Sequence, residues 1–468
     1  MLTYNIDNSS RYPLYEQIYM KIKKDISDGK LITGEKLPSK RELAKHLQIS
    51  IITVENAYAQ LLAEGYIYSQ EKKGYYISDI TKMMYSQMHE KKSQQIVKEK
   101  KEYFIDFVSN SIDVQGFPIT IWSRLVREIL SKENQKNILR SAPSQGLYEL
   151  REAISKHLYQ FRGMDVKPDN IVIGSGTEYL YNLLIQLLGN DLVFAVEDPG
   201  YAKPYLIYRS NKTSCAHISM DEQGIDMSAL NDSNADIVHI TPSHHFPTGI
   251  VMPISRRYEL LNWAYNKKQR YIIEDDYDSE FRMSGRPIPS LLGIDGNKKV
   301  IYMNTFSKTI APSIRISYMI LPDNLMEKFN KELGFYTNTV PMLEQIVLQL
   351  FISRGYLEKH INRMKTIYRI KRDKIISLIK ESRLKDFCEI LEADSGLHFL
   401  LKTDTSLTDE EVIEKSKEKG IRISAVSTYS FNNRSHLSHT FIINYPGVEI
   451  EKVNTAIGYL EDILICSQ

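Results

Sequence analysis

Between Asn170 and Met303, apolar runs of strand length alternate with runs of helical period, and this alternation restricts the fold more than any other feature of the chain. The strand-like runs are Asn170-Ile-Val-Ile-Gly, Asp191-Leu-Val-Phe-Ala-Val, Ala235-Asp-Ile-Val-His-Ile, Arg270-Tyr-Ile-Ile-Glu and Lys299-Val-Ile-Tyr-Met. Helical stretches separate them, at 177–188 and 258–267 among others. Such a pattern packs as a mostly parallel sheet covered by helices, because each parallel crossover needs a dozen or more residues and a helix supplies them. After Pro322 the pattern changes to long helices, 343–353 and 356–380. From Cys388 a mixed tail follows, with strands at 397–401 and 440–444, which suits a smaller α+β domain.

Parallel sheets bind ligands beyond the C-terminal ends of their strands, and the residues at those ends share a chemistry. Gly174-Ser-Gly-Thr177 lies between a strand and a helix, where free backbone N–H groups and hydroxyls make a phosphate cradle. Asp198-Pro-Gly-Tyr201 ends a strand with an aromatic ring able to stack on a pyridine. Thr241-Pro-Ser-His-His-Phe-Pro-Thr-Gly249 is a turn-rich loop, and Glu274-Asp-Asp-Tyr277 puts carboxylates where a pyridinium nitrogen needs one to stay protonated. Just beyond the last run comes Thr305-Phe-Ser-Lys-Thr-Ile-Ala-Pro-Ser-Ile-Arg-Ile-Ser-Tyr318. Lys308 suits an imine with a pyridoxal aldehyde, leaving Ser307 and Arg315 for the phosphate. Singly these are a glycine loop, a turn and a strand-end lysine of ordinary kind; their occurrence at successive strand ends carries the reading.

The first 80 residues have a different organisation. Leu14, Ile18, Ile22 and Ile26 recur four apart on an amphipathic helix that Gly29 stops. Ser39 with Glu42 forms a capping box for a helix over 40–47, burying Leu43, Ala44 and Leu47. Ser50 caps a third helix whose apolar face is Val54, Ala57, Tyr58, Leu61 and Leu62, and Gly65 ends it. Runs 66–69 and 75–78 then flank Gln70-Glu-Lys-Lys-Gly74 as a hairpin with a basic tip. This is the winged helix-turn-helix layout, with the third helix entering the major groove by its N-terminal end. Residues 81–102 are polar and lysine-rich and are expected to be a linker.

A chain of 468 residues with 42% hydrophobic and 25% charged residues is globular and holds more than one domain. Net charge of +2 excludes a whole-protein basic field, so a nucleic-acid surface must be a local patch. Cys215, Cys388 and Cys466 are too few and too scattered for a disulfide framework or a metal cluster. Neither a signal peptide nor a membrane-length apolar run is present, so a cytoplasmic protein with no membrane partner is expected.

Leu37-Pro-Ser-Lys-Arg-Glu-Leu-Ala44, Leu61-Leu-Ala-Glu-Gly-Tyr-Ile-Tyr68 and Lys72-Lys-Gly-Tyr-Tyr76 resemble the GntR family of bacterial regulators. The resemblance implies DNA contacts from Ser39, Arg41, Ser50, Thr53, Lys72, Lys73 and Gly74. That family usually has arginine directly after the serine opening the recognition helix, where this chain has Ile51.

Residues 103–468 resemble fold-type I aminotransferases, through S-K-x-x-x-P-x-x-R-x-S-Y and the strand-end motifs. Segments 141–151 and 356–364 resemble the substrate-side segment and a small-domain helix of the same fold. By that resemblance Lys308 carries pyridoxal 5'-phosphate, Asp275 rather than Asp276 pairs with the ring nitrogen, Tyr277 bonds the ring oxygen and Tyr201 stacks. Ser175, Gly176, Thr177, Ser307 and Arg315 hold the phosphate. Phe246 stands where asparagine usually precedes Pro-Thr-Gly, and His244 or His245 takes its polar role, His244 being preferred.

The two modules together resemble the MocR/GabR class of transcription regulators. This implies a pyridoxal phosphate-dependent regulator that binds promoter DNA, senses an amine or the cofactor itself, and forms a homodimer with each DNA module over the partner's large domain. The alternative is a working aminotransferase with an appended DNA module. The arginine that grips a substrate carboxylate falls at Gly447 in this alignment, and a second anion-binding arginine at Lys203, with Arg422 or Arg434 as possible substitutes from elsewhere. Weak binding of common α-amino acids and γ-aminobutyrate is therefore expected, and at most a slow half-transamination.

Overall fold

The computed structural model describes residues 2–7, 10, 12–79, 103–109, 116–131, 138–283, 289–394, 396–431 and 437–465. The chain divides into two compact units, Met1–Lys100 and Lys101–Gln468. The segment 81–102, expected as a linker, lies outside the described residues, as do Arg434 and Cys466.

In the first unit the helices are Leu14–Ser27, Lys40–Leu47 and Ile51–Ala63, followed by an antiparallel hairpin, Ile67–Gln70 with Gly74–Ile77. Ile18, Ile22, Ile26, Leu43, Val54, Tyr58, Leu61, Ile67 and Ile77 close one core. The capping box forms as expected: the Glu42 N–H donates to Ser39 Oγ at 3.2 Å and the Ser39 N–H to Glu42 Oε2 at 2.9 Å. Gly29 and Gly65, at φ +72° and +77°, take the left-handed turns that end their helices. Leu62 departs from expectation and is 42% exposed. It sits one residue past Leu61, about 100° off the 54–57–58–61 stripe, so the stripe buries without it.

The second unit is built on an eight-stranded sheet. Its order is Ile171–Gly174, Ser317–Ile320, Val300–Thr305, Tyr271–Asp275, Ile237–Ile240, Phe194–Asp198, Cys215–Asp221 and Gly224–Ile225. Pairing is parallel from Val300–Thr305 across to Cys215–Asp221. Ser317–Ile320 runs antiparallel to both neighbours, so Ile171–Gly174 points the same way as the parallel set. The central strands are buried on both faces, which accounts for their unbroken apolar runs. Cys215–Asp221, not expected from sequence, mixes polar and apolar residues and is half-buried beside the short terminal strand.

Helices Met342–Ser353 and Tyr356–Glu381 fall where periodicity places them. A smaller antiparallel sheet of Cys388–Leu391, His398–Thr403, Thr440–Asn444 and Ser424–Ala425 shares a core with Tyr356–Glu381 and Ile450–Leu464.

One buried ionic cluster lies under the strand ends. Arg162 Nη1 meets Asp276 Oδ2 at 2.8 Å, both side chains almost wholly buried, and the Tyr302 hydroxyl donates to the same oxygen at 2.7 Å. Burial disfavours the Arg162 charge, and Asp276, followed by Tyr302, Glu274 and Glu280, outweighs that and holds it protonated. Removing one member strands the other's charge in a dry interior. Asp276→Ala is expected to cost this unit about 3–5 kcal/mol in urea unfolding. A loss under about 1 kcal/mol contradicts the pairing.

Candidate functional site

Because the parallel strands share a direction, the loops after Gly174, Asp198, Ile240, Asp275 and Thr305 leave the same edge of the sheet. Between them is a cavity of about 320 Å³. Thr177, Tyr201, Asp275, Tyr277, Ser307, Lys308 and Arg315 all stand in its wall, contributed by four of the strand-end motifs.

Lys308 lies in the short helix Phe306–Thr309, whose first turn is capped by Thr305 Oγ1 accepting from the Ser307 N–H at 3.1 Å. Burial pushes its amine down to about 8, against the pull of Asp278 and with the help of Lys203. Asp275 accepts from the Tyr181 hydroxyl at 2.5 Å on Oδ2, and His239 Nε2 is 3.6 Å from the same oxygen. His239 Nδ1 is in turn 2.7 Å from the Tyr208 hydroxyl. The other carboxylate oxygen, Oδ1, is buried and has no partner. Asp276 turns away into the Arg162 cluster, so of the two adjacent aspartates only Asp275 reaches the cavity.

The cradle at the start of Thr177–Leu188 is shaped by Gly176, at φ +96°. A Cβ there would come within 2.4 Å of Arg315 Nη2, so only glycine allows the guanidinium this close. Arg315 itself holds a left-handed backbone, φ +50°, which a residue with a side chain adopts only when its surroundings fix it. The Ser175 N–H donates to Thr339 Oγ1 at 3.2 Å, and neither Ser175 nor Gly176 lines the cavity. Ser307 Oγ is buried without a partner. Glu178, unremarked in the sequence, bridges two cations: Lys203 Nζ at 2.5 Å and Arg315 Nη2 at 2.8 Å. These hold its carboxyl below the ordinary value, Lys203 most strongly.

His244 and His245 exchange the positions expected of them. His244 is buried outside the cavity wall, with Nδ1 2.9 Å from Asp278 Oδ2, and packs so closely on Gly396 that a Cβ there would lie 1.9 Å from its ring. His245 lines the cavity, with Nδ1 2.7 Å from Thr248 Oγ1 and Nε2 3.4 Å from Glu197 Oε2. Burial pushes His245 down to about 3 and Glu197 up to about 8, so neither is charged near neutrality. Phe246 forms an aromatic wall, edge-on to Tyr201 at 6.2 Å and to Tyr429 at 4.9 Å. The Tyr277 hydroxyl donates to the His244 carbonyl at 3.2 Å.

Gly447 is exposed and outside the cavity wall, and Arg422 Nη1 pairs with Asp106 at 3.1 Å in the short ladder of Ile105–Asp106 with Ile421–Arg422. Residues 141–151 contribute nothing to the wall. Tyr181, His239, Glu178 and Glu197 are the site residues that sequence reasoning passed over. The one visible signal was His239, a polar residue among the three aliphatic ones of Ile237–Ile240.

In the first unit Ser39 and Ser50 cap the second and third helices, and Ser50 Oγ is also 2.8 Å from Thr53 Oγ1. Arg41 is exposed, and Lys72 and Lys73 lie in the turn between the hairpin strands, with Lys72 left-handed at φ +59°, while Gly74 opens the second strand opposite Gln70.

Residues 14–77 match the family of bacterial regulatory proteins of the gntR type, and residues 104–460 match aminotransferase class I and II. Over 419 residues the chain is 39% identical to YdeL, an uncharacterised HTH-type transcriptional regulator of Bacillus subtilis, covering 89% of each. It is 26% identical to MocR of Rhizobium meliloti, a probable rhizopine catabolism regulatory protein, across 98% of this chain and 95% of that one. The chain belongs to the MocR-type transcription regulators. Among solved structures, a Pyrococcus horikoshii kynurenine aminotransferase aligns with a TM-score of 0.67 at 22% identity, covering 82% of this chain and 98% of that one, which establishes the fold-type I architecture.

Aminotransferases of class I and II depend on pyridoxal 5'-phosphate, and the cavity of this MocR-type protein fits that group. An unpartnered Asp275 oxygen suits a protonated ring nitrogen, an unpartnered Ser307 hydroxyl and the Gly176–Arg315 cradle suit a phosphate, and a half-buried amine suits the aldehyde.

Only the deprotonated amine is nucleophilic, so the depression of Lys308 has a direct readout. Trace acetylation of the protein, followed by mass spectrometry, should label Lys308 with a rate that rises through about pH 8 and then levels. A midpoint near the ordinary lysine value of about 10.4 contradicts the burial argument.

Proposed function

We propose that this MocR-type regulator couples reversible amine chemistry at Lys308 to promoter binding by its gntR-type unit. The observation that carries the reading is the meeting of two groups in one cavity wall, a lysine amine lowered by burial and an aspartate oxygen without a partner. When bound, pyridoxal 5'-phosphate supplies an aldehyde that Lys308 and an incoming amine can each occupy. Asp275, whose Oδ2 is braced by Tyr181 and His239, leaves its unpartnered Oδ1 for the ring nitrogen. Tyr277 offers its hydroxyl to the ring oxygen, Tyr201 covers the ring face, and Thr177, Ser307 and Arg315 hold the phosphate, with Ser175 and Gly176 shaping the turn behind them. His245, uncharged and in the wall, is the histidine we assign to the position next to Phe246.

The effector is a primary amine, or the cofactor itself, and the protein acts in the cytoplasm as a homodimer with each DNA unit over its partner's large domain. Common amino acids make poor ligands on this reading. A carboxylate needs a free guanidinium to fix the reacting carbon, whereas Arg315 and Lys203 are both paired with Glu178 and Arg422 with Asp106. An amine anchored by another group, such as a dipeptide, suits the site better. The effector shifts DNA binding through its different affinities for two arrangements of the dimer.

Lys308→Ala should abolish the visible absorbance and the borohydride-fixed adduct while leaving DNA affinity measurable. A fixed adduct at another lysine overturns the attachment site. In the same assay, steady-state keto-acid formation from any ordinary amino acid at ~1 s⁻¹ or faster supports the working aminotransferase instead.

Arg41→Ala should weaken binding to a cognate promoter fragment and lower the salt slope by about one. Unchanged affinity and slope remove Arg41 from the contact set.

A further inference from the structure

The first turn of the Ile51–Ala63 helix presents an apolar surface where a DNA reader ordinarily presents polar groups. Ile51 is 48% exposed and Ile52 68% exposed. Neighbouring polar side chains are engaged within the unit: Ser50 Oγ accepts from the Thr53 N–H at 3.1 Å and lies 2.8 Å from the Thr53 hydroxyl. The Glu55 carboxylate is held by Lys40 Nζ at 2.5 Å. Exposed positive charges of the same unit, Arg41, Lys72 and Lys73, have no ion-pair partner among the described residues. An exposed isoleucine pair contributes nothing to the core of the unit, and β-branched residues do not favour a helix start.

The major groove offers one apolar group, the C5-methyl of thymine, and a helix of this layout meets base edges with its N-terminal residues. An arginine at position 51 would read guanine bidentately; isoleucine has no donor to do so. We propose that Ile51 and Ile52 read thymine methyl groups, so that the sequence specificity of this regulator rests on apolar contacts to A·T pairs, with Arg41 and the hairpin lysines contacting phosphates. The inference rests on the DNA-binding reading of the gntR-type unit and goes beyond it by naming the base and the atom recognised.

The test begins with the full-length protein selecting bound duplexes from a randomised pool. The selected duplex is then resynthesised with deoxyuridine replacing each thymine in turn, which removes one methyl and keeps the base pairing. Uracil at one or two positions per half-site should weaken binding about fourfold each, the factor that follows from burying one methyl-sized group. In the variant Ile51→Ala, Ile52→Ala, thymine and uracil duplexes should bind equally, with an unchanged salt slope because the phosphate contacts remain. Alanine favours the helix, so the variant keeps its fold, checked by its circular dichroism. Equal binding of thymine and uracil duplexes by the unmodified protein overturns the proposal, as does discrimination that survives in the variant. Failure to enrich any duplex overturns the DNA-binding reading itself, and the inference with it.

Discussion

Everything at the ligand site depends on the parallel hydrogen-bonded ladder from Val300–Thr305 to Cys215–Asp221. A shared strand direction sends every following loop out at one edge, so residues more than a hundred positions apart, Thr177 and Lys308 among them, arrive at one cavity. The antiparallel strand Ser317–Ile320 preserves this by inserting between Ile171–Gly174 and the rest, keeping the glycine cradle at the same edge as the lysine. Register matters as much as direction. A one-residue shift of Tyr271–Asp275 would put Asp276 at the cavity and Asp275 into the Arg162 cluster, exchanging the carboxylate that faces the cavity for the one that pairs with Arg162.

Burial sets the second condition. The same low-polarity surroundings that lower Lys308 to about 8 raise Glu197 to about 8 and lower His245 to about 3, leaving this side of the cavity with few net charges. Against that background Asp275 and the Arg315–Glu178–Lys203 bridge are the strong electrostatic features. On the proposed function, a phosphate at the Thr177–Leu188 helix start shares Arg315 with Glu178, so that Glu178 bears on the strength of cofactor binding.

Much of this was legible before any coordinates. Strand-end motifs carry their chemistry in adjacent residues, so Lys308, Arg315, Tyr201 and the Gly174–Thr177 turn could be read directly. The choice between His244 and His245 could not, and that between Asp275 and Asp276 rested on the family resemblance alone, because neighbouring residues on a strand end or loop point to opposite sides and sequence does not fix which side is the cavity. Tyr181, His239 and Glu178 were hidden for another reason: their partners lie 94, 36 and 137 positions away. In the first unit the opposite holds. Its helices are set by local signals, the Ser39–Glu42 box and the glycine stops, and only Leu62 at the margin of the apolar stripe was misassigned.

The proposed function requires that the equilibria of ligand binding and DNA binding be linked, and linkage is reciprocal. The most direct test measures the affinity for pyridoxal 5'-phosphate, by its visible absorbance, with and without a saturating selected duplex, and the duplex affinity with and without the cofactor. The account predicts that both affinities change by the same factor, on the order of 5–150-fold once the amine ligand is present. Cofactor and DNA affinities that are each indifferent to the other partner, in the absence and presence of amines, would contradict it.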